Sequence, residues 1–213
     1  MTTTIAPEPL DNASGPGLVL ASKSPARRML LENAGLDFRS CDAGVDENHL
    51  KAKALREGLS PEVLAISLAE AKATAAHSEG KGMDAYLGCD QILCQDGIIY
   101  DKPVDLIGAA NHLRIFSGKT HRLISAVVLV QTGQPTWSHI EIAEMHVRPL
   151  SDAFIDDYLN NHGTGVLSSV GAYRLEGYGA HLFQKIEGDY FTVLGLPLLP
   201  LLEELRKRGI LPH

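Results

Sequence analysis

The chain has 213 residues, of which 45% are hydrophobic, and its 19 Lys and Arg against 26 Asp and Glu give a formal net charge of −7. This length allows a full hydrophobic core, and the acidic balance, without a run of Lys or Arg, excludes nucleic acid polymers as expected partners. Three cysteines, Cys41, Cys89 and Cys94, lack C-x-x-C spacing. They favour reduced thiols and a cytoplasmic protein over a disulfide framework.

The two ends of the chain differ in character. Residues 1–17 are rich in Thr, Pro and Ala and lack the basic and apolar regions of a signal peptide, so we predict a flexible tail followed by a single domain over residues 18–213. The longest apolar stretches, 123–130 and 193–202, are shorter than the ~20 residues of a membrane-spanning helix. We therefore expect no membrane association.

The pattern along the chain predicts a mixed α/β fold, because strands and helices alternate without a strict βαβ rhythm. An apolar strand at 18–21 precedes a helix in which Ser24 is the N-cap, Pro25 the first residue and Gly35 the left-handed stop. Further strands are predicted around 36–41, 86–89, 92–94, 98–99, 122–130, 136–147 and 182–186, and further helices from 61, over 105–116, from 152 and over 198–208.

The segment Ser22-x-Ser24-Pro25-x-Arg27-Arg28 lies at the start of the first predicted helix. Unpaired N–H groups at a helix N-terminus, hydroxyl groups and guanidinium groups all bind phosphate, so this turn is a candidate polyphosphate site. The alternative interpretation is that Ser24 only caps the helix and both arginines lie on the surface.

Acidic residues form a second candidate group. Asp90 lies inside the apolar segment 87–93, where a carboxylate is costly to bury unless it is paired, metal-bound or directed into a cleft. Asp46 and Glu47 follow a predicted strand, and together with Asp90 they offer the oxygen ligands that Mg²⁺ prefers. Taken singly, Asp90 also fits a β-bulge or a strand end, and the other two fit a solvated loop.

Two lysines could add positive charge to such a site. Lys72 lies on a predicted helix and Lys102 lies in the segment Asp-Lys-Pro, although either one alone is typical of a protein surface. Gly118-Lys119-Thr120 resembles the end of a P-loop, but the motif requires Gly where this chain has Leu113. A P-loop nucleotide hydrolase is therefore not expected.

Several segments, in this order, resemble the Maf family of nucleoside triphosphate pyrophosphatases. The resemblance extends from about residue 18 to about residue 210 and rests on LASKSPARR at 20–28, VDE at 45–47, LAEAKA at 68–73, GCDQ at 88–91, KP at 102–103, SGKTH at 117–121, IEGDY at 186–190 and GLPL at 195–198. Each segment is short, but their common order makes a chance match improbable.

The resemblance implies a two-lobed α/β fold with a central nucleotide cleft, similar to the inosine triphosphate pyrophosphatases, and a homodimer. It implies hydrolysis of the α–β phosphoanhydride bond, giving a nucleoside monophosphate and diphosphate, with Mg²⁺, Mn²⁺ or Co²⁺ as cofactor. Asp90 is then the catalytic proton acceptor, and Glu47 a second catalytic carboxylate that holds the metal together with Asp90. The residues implied to contact the triphosphate are Ser22, Arg27, Lys72 and Lys102.

Base preference in the family follows three positions, here Ala26, Gln91 and Glu176. The branch that cleaves dTTP and UTP has Arg, Thr and Gln there, whereas Gln91 and Glu176 resemble the branch that cleaves 7-methyl-GTP. Ala26 departs from the Trp of that branch. The resemblance therefore implies 7-methyl-GTP or another modified purine nucleotide, as in nucleotide pool sanitation. The alternatives are dTTP, UTP or CTP, and a non-enzymatic inhibitor of septum formation in cell division that acts by binding a partner.

Overall fold

The computed structural model describes residues 17–80 and 84–212, so residues 1–16 of the predicted tail lie outside the described part. Within these ranges the strands are β1 (Leu18–Ala21), β2 (Phe38–Cys41), β3 (Ala85–Gln95), β4 (Ile98–Tyr100), β5 (Thr120–Gln131), β6 (Gln134–Val147) and β7 (Phe183–Glu187). The α-helices are α1 (Pro25–Asn33), α2 (Glu47–Glu57), α3 (Pro61–Gly80), α4 (Leu106–Phe116), α5 (Asp152–His162), α6 (Tyr190–Val193) and α7 (Leu198–Lys207). Short 3-10 helices cover Gly163–Ser168 and Tyr178–Leu182.

These strands form one mixed sheet in the order β2-β1-β3-β5-β6-β7, with β4 paired to β3 beside this path. Strand β1 runs parallel to β2 and β3, and the remaining neighbours are antiparallel. The parallel pairs require crossover connections, which α1 to α3 provide. The predicted mixed α/β fold is confirmed. No helix in the described ranges has the length and apolarity that crossing a bilayer requires.

One edge of β3 is open in its middle. Strand β1 ends with Ala21 opposite Gly88, and β4 pairs with β3 only over residues 93–95. Residues 89–92 of β3 therefore have no strand partner on this edge within the described ranges. The opening lies where β1 turns into α1, which is where ligands bind in many α/β sheets.

The two faces of the sheet are covered differently. Helix α3 covers one face and forms a single apolar cluster with alternate residues of β1, β3 and β5. The other face carries two clusters, one with α1 and α7 and the other with α4 and α5. Gln91 of β3 and Ser125 of β5 lie between these two clusters, so a polar seam divides this side of the core.

Three features differ from the sequence-based expectations. Asp90 was expected between two strand segments, but β3 continues through it, because β5 pairs with β3 along its whole central part. Asp46 and Glu47 do not lie in a loop but begin α2, where the Asp46 carboxylate accepts the backbone N–H of His49 at 2.9 Å. The short helix α6, capped by Asp189, was not predicted.

Candidate active site

The turn between β1 and α1 is built as its sequence predicts. The Ser24 hydroxyl accepts the backbone N–H of Arg27 at 3.4 Å, and Pro25 is the first helical residue. The Ser22 hydroxyl accepts both the Ser24 backbone N–H at 3.2 Å and Arg27 Nη1 at 3.3 Å. Ser22 is thus fixed at the positive end of α1, next to the open edge of β3.

The Arg27 side chain is buried rather than exposed on the surface. Its Nη1 donates to the Cys89 carbonyl at 3.0 Å and its Nε to the Gly195 carbonyl at 2.8 Å. The Cys89 carbonyl belongs to the unpaired edge of β3, so Arg27 compensates part of the missing strand pairing there. The surface interpretation is therefore wrong for Arg27, whereas Arg28 is exposed.

Lys72 lies between two carboxylates. Its Nζ is 2.6 Å from Asp90 Oδ1 and 2.8 Å from Glu47 Oε1. The exposed fraction of the side chain is 11% for Lys72, 9% for Asp90 and 41% for Glu47, so the Lys72 and Asp90 charges are withdrawn from bulk water. A buried charge requires a partner, and three elements, α2, α3 and β3, bring these partners together.

The electrostatics tie Lys102 to the same cluster. Partial burial raises the pKa of Glu47, but the hydrogen bond and charge of Lys72, with further help from Lys51 and Lys102, lower it below its ordinary value. Desolvation lowers the pKa of Lys102, as do the positive charges of Arg27 and Lys72, while Glu47 and Asp90 oppose this shift. Cations from α1, α3 and the 102–103 loop therefore share one region with the two carboxylates.

The carboxylate oxygens of Glu47 and Asp90 are suitable ligands for a hard divalent cation. Each carboxylate gives one oxygen to Lys72 Nζ, and the other oxygen, Glu47 Oε2 or Asp90 Oδ2, makes no hydrogen bond to another described residue. Oxygen ligands of this kind suit Mg²⁺ and Mn²⁺. The positively charged ammonium group of Lys72 already lies between the two carboxylates.

A second group with metal-binding side chains lies elsewhere on the sheet. Ligand atoms of Glu144, His146 and Glu187 all fall within 4.8 Å of one another on β6 and β7. Glu144 lies opposite Glu187 in the register of the two strands, and His146 and Lys185 both pair with Glu187, so cross-strand pairing brings these side chains together. This group does not include any of the residues expected at the catalytic site.

The three positions expected to select the base line one cavity of about 140 Å³. Ala26 comes from α1, Gln91 from β3 and Glu176 from the loop before the second 3-10 helix. Other residues that line this cavity are Ser24, Pro25, Leu123, Ser168, Ser169, Tyr173, Arg174, Leu175, Val193 and Leu194. The side chains therefore meet although up to 150 positions separate them in the chain.

The amide of Gln91 is held in one orientation. Its Nε2 lies 3.0 Å from Ser125 Oγ, 3.1 Å from the Thr192 carbonyl and 3.0 Å from the Val193 carbonyl. Since carbonyl oxygens only accept, these contacts identify the nitrogen end of the amide. Gln91 Oε1 makes no hydrogen bond to another described residue, and it remains an available acceptor.

This arrangement belongs to the polar seam, which the sequence-based reasoning missed. Gln91, Ser125 and Glu141 are in register across β3, β5 and β6. Thr192 of α6 closes the row: its carbonyl accepts the Ser125 hydroxyl at 2.8 Å, and its own hydroxyl donates to Glu141. A polar Ser125 inside the apolar run 123–130 was the one available signal.

Asp90 and Gln91 are neighbours in β3, and successive side chains of a strand point to opposite faces. Asp90 accordingly contacts Lys72 of α3 on one face, while Gln91 lies in the seam on the other. A molecule that contacts both has to pass over the open edge of β3. The N-terminus of α1 and Arg27 lie at this edge.

Comparison with known proteins agrees with this architecture. The family model described as Maf-like protein matches residues 17–208. The chain is 50% identical over 194 residues to a Rhizobium etli protein named 7-methyl-GTP pyrophosphatase, covering 91% of this chain and 97% of the relative. It is 51% identical to a Mesorhizobium japonicum protein of the same name, covering 90% and 96% of the two chains. A Caulobacter vibrioides protein named nucleoside triphosphate pyrophosphatase is 46% identical, with 91% and 96% covered. As the resemblance predicted, the chain belongs to the Maf family.

Proposed function

We propose that this protein is a nucleoside triphosphate pyrophosphatase that hydrolyses the α–β phosphoanhydride bond, with 7-methyl-GTP or a related purine nucleotide as substrate. Relatives that are 50% and 51% identical over nearly their whole length carry the name 7-methyl-GTP pyrophosphatase. Because these relatives also cover nearly all of this chain, the proposal applies to the whole domain.

The observation that carries the proposal is the position of Lys72 between Asp90 and Glu47, beside Arg27. Hydrolysis of a phosphoanhydride needs fixed positive charge, because negative charge develops on the diphosphate leaving group. Lys72, Arg27 and Lys102 supply such charge from three different elements. In the proposed mechanism they contact the triphosphate together with the Ser22 hydroxyl.

Asp90 is the base in this mechanism. Its carboxylate accepts a proton from the attacking water, and Lys72, whose Nζ is 2.6 Å from Asp90 Oδ1, keeps the carboxylate in place. Glu47 and Asp90 would hold the divalent cation, Mg²⁺, Mn²⁺ or Co²⁺. When bound, such an ion neutralises phosphate charge and polarises the P–O bond.

The base cavity favours a ring that presents hydrogen-bond donors. Gln91 Oε1 and the Glu176 carboxylate are both acceptors. The N1–H and 2-amino groups of guanine are two adjacent donors that such acceptors bind, whereas thymine and uracil offer one N–H between two carbonyl oxygens. A carboxylate also favours the positive charge that 7-methylation gives to the ring. Ala26 leaves room beside the base where the related branch has Trp.

The free thiols Cys41, Cys89 and Cys94 are compatible with a cytoplasmic enzyme, and we propose that location. The homodimer implied by the resemblance stays a prediction. Size-exclusion chromatography with light scattering tests it.

A panel of triphosphates tests the proposed function. Purified protein with Mg²⁺, Mn²⁺ or Co²⁺ is incubated with 7-methyl-GTP, GTP, dTTP, UTP and CTP, and both products are identified by chromatography. We expect diphosphate and the monophosphate, fastest from 7-methyl-GTP. Release of orthophosphate would contradict cleavage between the α- and β-phosphates, and faster turnover of dTTP or UTP would contradict the purine preference.

A further inference from the structure

Arg174 and Glu176 lie side by side in the base cavity. Arg174 Nε donates to Glu176 Oε1 at 3.0 Å, and both residues line the cavity with Gln91. The exposed fraction of the side chain is 58% for Arg174 and 21% for Glu176, so the carboxylate is the more enclosed partner. The pair presents N–H donors directly next to acceptors.

A guanine needs such a neighbouring donor and acceptor. Its O6 accepts, and the adjacent N1–H and 2-amino groups donate. The Gln91 amide cannot supply the donor for O6, because its nitrogen faces the Ser125 hydroxyl and the carbonyls of Thr192 and Val193. The Tyr173 hydroxyl is 2.6 Å from His121 Nε2 and is therefore also engaged.

Arg174 retains the required donors. Apart from the Nε contact to Glu176, the Arg174 guanidinium makes no hydrogen bond within the described ranges, so its Nη1 and Nη2 groups remain available. A guanidinium has five N–H donors in a planar fork, so it can contact Glu176 and a ring oxygen together.

We propose that Arg174 is a base-specificity residue that donates to O6 of the guanine ring while Glu176 accepts its N1–H and 2-amino groups. This inference rests on the proposed function and adds a residue to it. Adenine presents a 6-amino donor in place of O6 and an acceptor at N1. It would thus set donor against donor at Arg174 and acceptor against acceptor at Glu176, leaving these groups unpaired.

The loop that carries the pair is anchored on its core side. The Tyr158 hydroxyl donates to the Ala172 carbonyl at 3.2 Å, and the contact between His121 and Tyr173 is buried. Ala172 itself has a left-handed backbone with φ of 57° and no exposed surface. A non-glycine residue adopts this conformation only where its surroundings enforce it. The anchored backbone therefore presents Arg174 and Glu176 in a defined position.

The test compares Arg174→Met and Arg174→Lys with the wild type. The value of kcat/KM is measured for 7-methyl-GTP, GTP, ITP and ATP. For Arg174→Met we expect a loss of about 10- to 100-fold for every substrate that carries O6, with little change for ATP. Arg174→Lys keeps a positively charged donor group, so it should retain part of the discrimination between GTP and ATP that Arg174→Met loses. ITP has O6 and N1–H without the 2-amino group, so it should fall by the same factor as GTP.

Arg114→Met is the matched control, because Arg114 forms an exposed ion pair with Asp152 on α4 and α5 and does not line the cavity. It should leave the ratios of kcat/KM between the four triphosphates unchanged. The proposal is overturned if Arg174→Met lowers kcat/KM equally for ATP and GTP. It is also overturned if kcat/KM falls much more for GTP than for ITP, since this difference indicates an effect only through Glu176. If the wild type forms diphosphate from GTP but Arg174→Met leaves the ratio of kcat/KM for GTP to kcat/KM for ATP unchanged, this inference alone is refuted. A wild type that forms no diphosphate from any triphosphate refutes the proposed function as well.

Discussion

The backbone carbonyl of Ala69 in α3 packs directly against Gly88 of β3, where a Cβ would lie 1.9 Å from that oxygen. Lys72 follows Ala69 by three residues along the helix, and Asp90 follows Gly88 by two along the strand. The close approach of helix and strand at Gly88 therefore fixes the spacing at which Lys72 Nζ meets Asp90 Oδ1.

Gly88→Ala should force α3 away from β3, because the atom that obstructs the new Cβ is a backbone oxygen rather than a flexible side chain. We expect a loss of roughly 1–3 kcal/mol in the free energy of unfolding, measured by urea denaturation, and reduced diphosphate release. Gly165→Ala is the matched control, since a Cβ there meets nothing within 4 Å. Equal stability of the two variants would argue against the tight contact.

Lys72→Met should leave Asp90 and Glu47 facing each other without their shared cation. We expect activity to fall by about 10²-fold, because one fixed charge near the phosphates is lost. Mg²⁺ should raise the thermal midpoint of this variant more than that of the wild type, since the ion replaces the ammonium between the carboxylates. Scanning fluorimetry with and without Mg²⁺ measures this shift. An equal shift in both proteins would contradict the expectation that the ion takes the place of the ammonium group.

Glu176→Gln should weaken the preference for 7-methyl-GTP over GTP by about three- to tenfold, because a neutral amide loses the charge-assisted contact to a cationic ring. The ratio of the two kcat/KM values is the measurement. Glu57→Gln, an exposed change at the end of α2, serves as the control. A ratio that does not change would contradict a contribution of the Glu176 charge to the preference for the methylated ring.

His121 should make the protein sensitive to acid. Burial lowers its pKa to about 3, whereas an unfolded histidine titrates near about 6.5. The folded pKa is the lower one, so the unfolded state binds the extra proton between these values. The stabilisation is complete above about pH 6.5 and is lost as the pH falls toward 3, by roughly 3–5 kcal/mol in total.

Urea denaturation of His121→Gln and of the wild type between pH 7 and pH 4 measures how the free energy of unfolding depends on pH in each protein. The variant should be less stable at pH 7 but lose less stability on acidification than the wild type. His181→Gln, at an exposed position, should follow the wild-type curve. If His121→Gln also follows that curve, the acid sensitivity resides in other groups.

Local chemistry determined what could be predicted from the sequence. Ser24, Pro25 and Gly35 define the ends of α1 through capping and backbone preferences that act over a few residues. The apolar surroundings of Asp90 correctly indicated a buried carboxylate, although not the continuous strand. Helix α2 was missed because only Ala54 of its residues is fully buried, which leaves little apolar periodicity.

The remaining features depend on distant parts of the chain. The polar seam exists because β3, β5 and β6 pair in a register that aligns Gln91, Ser125 and Glu141, and because α6 returns to this point. Nothing in the neighbourhood of Thr192 or Arg174 in the sequence indicates that they approach Gln91. The strand register and the position of α6 beside these strands are set by the whole sheet, so the local sequence pattern cannot reveal them.

The central claim is that Asp90 activates water at a site shared with Lys72, Glu47 and Arg27. The most direct measurement is diphosphate release from 7-methyl-GTP by Asp90→Asn, with Asp156→Asn on the exposed face of α5 as control. The amide keeps the shape of the side chain but cannot accept the proton, so we predict a loss of about 10²–10⁴-fold in kcat with normal activity in the control. Unchanged turnover by Asp90→Asn would contradict the claim.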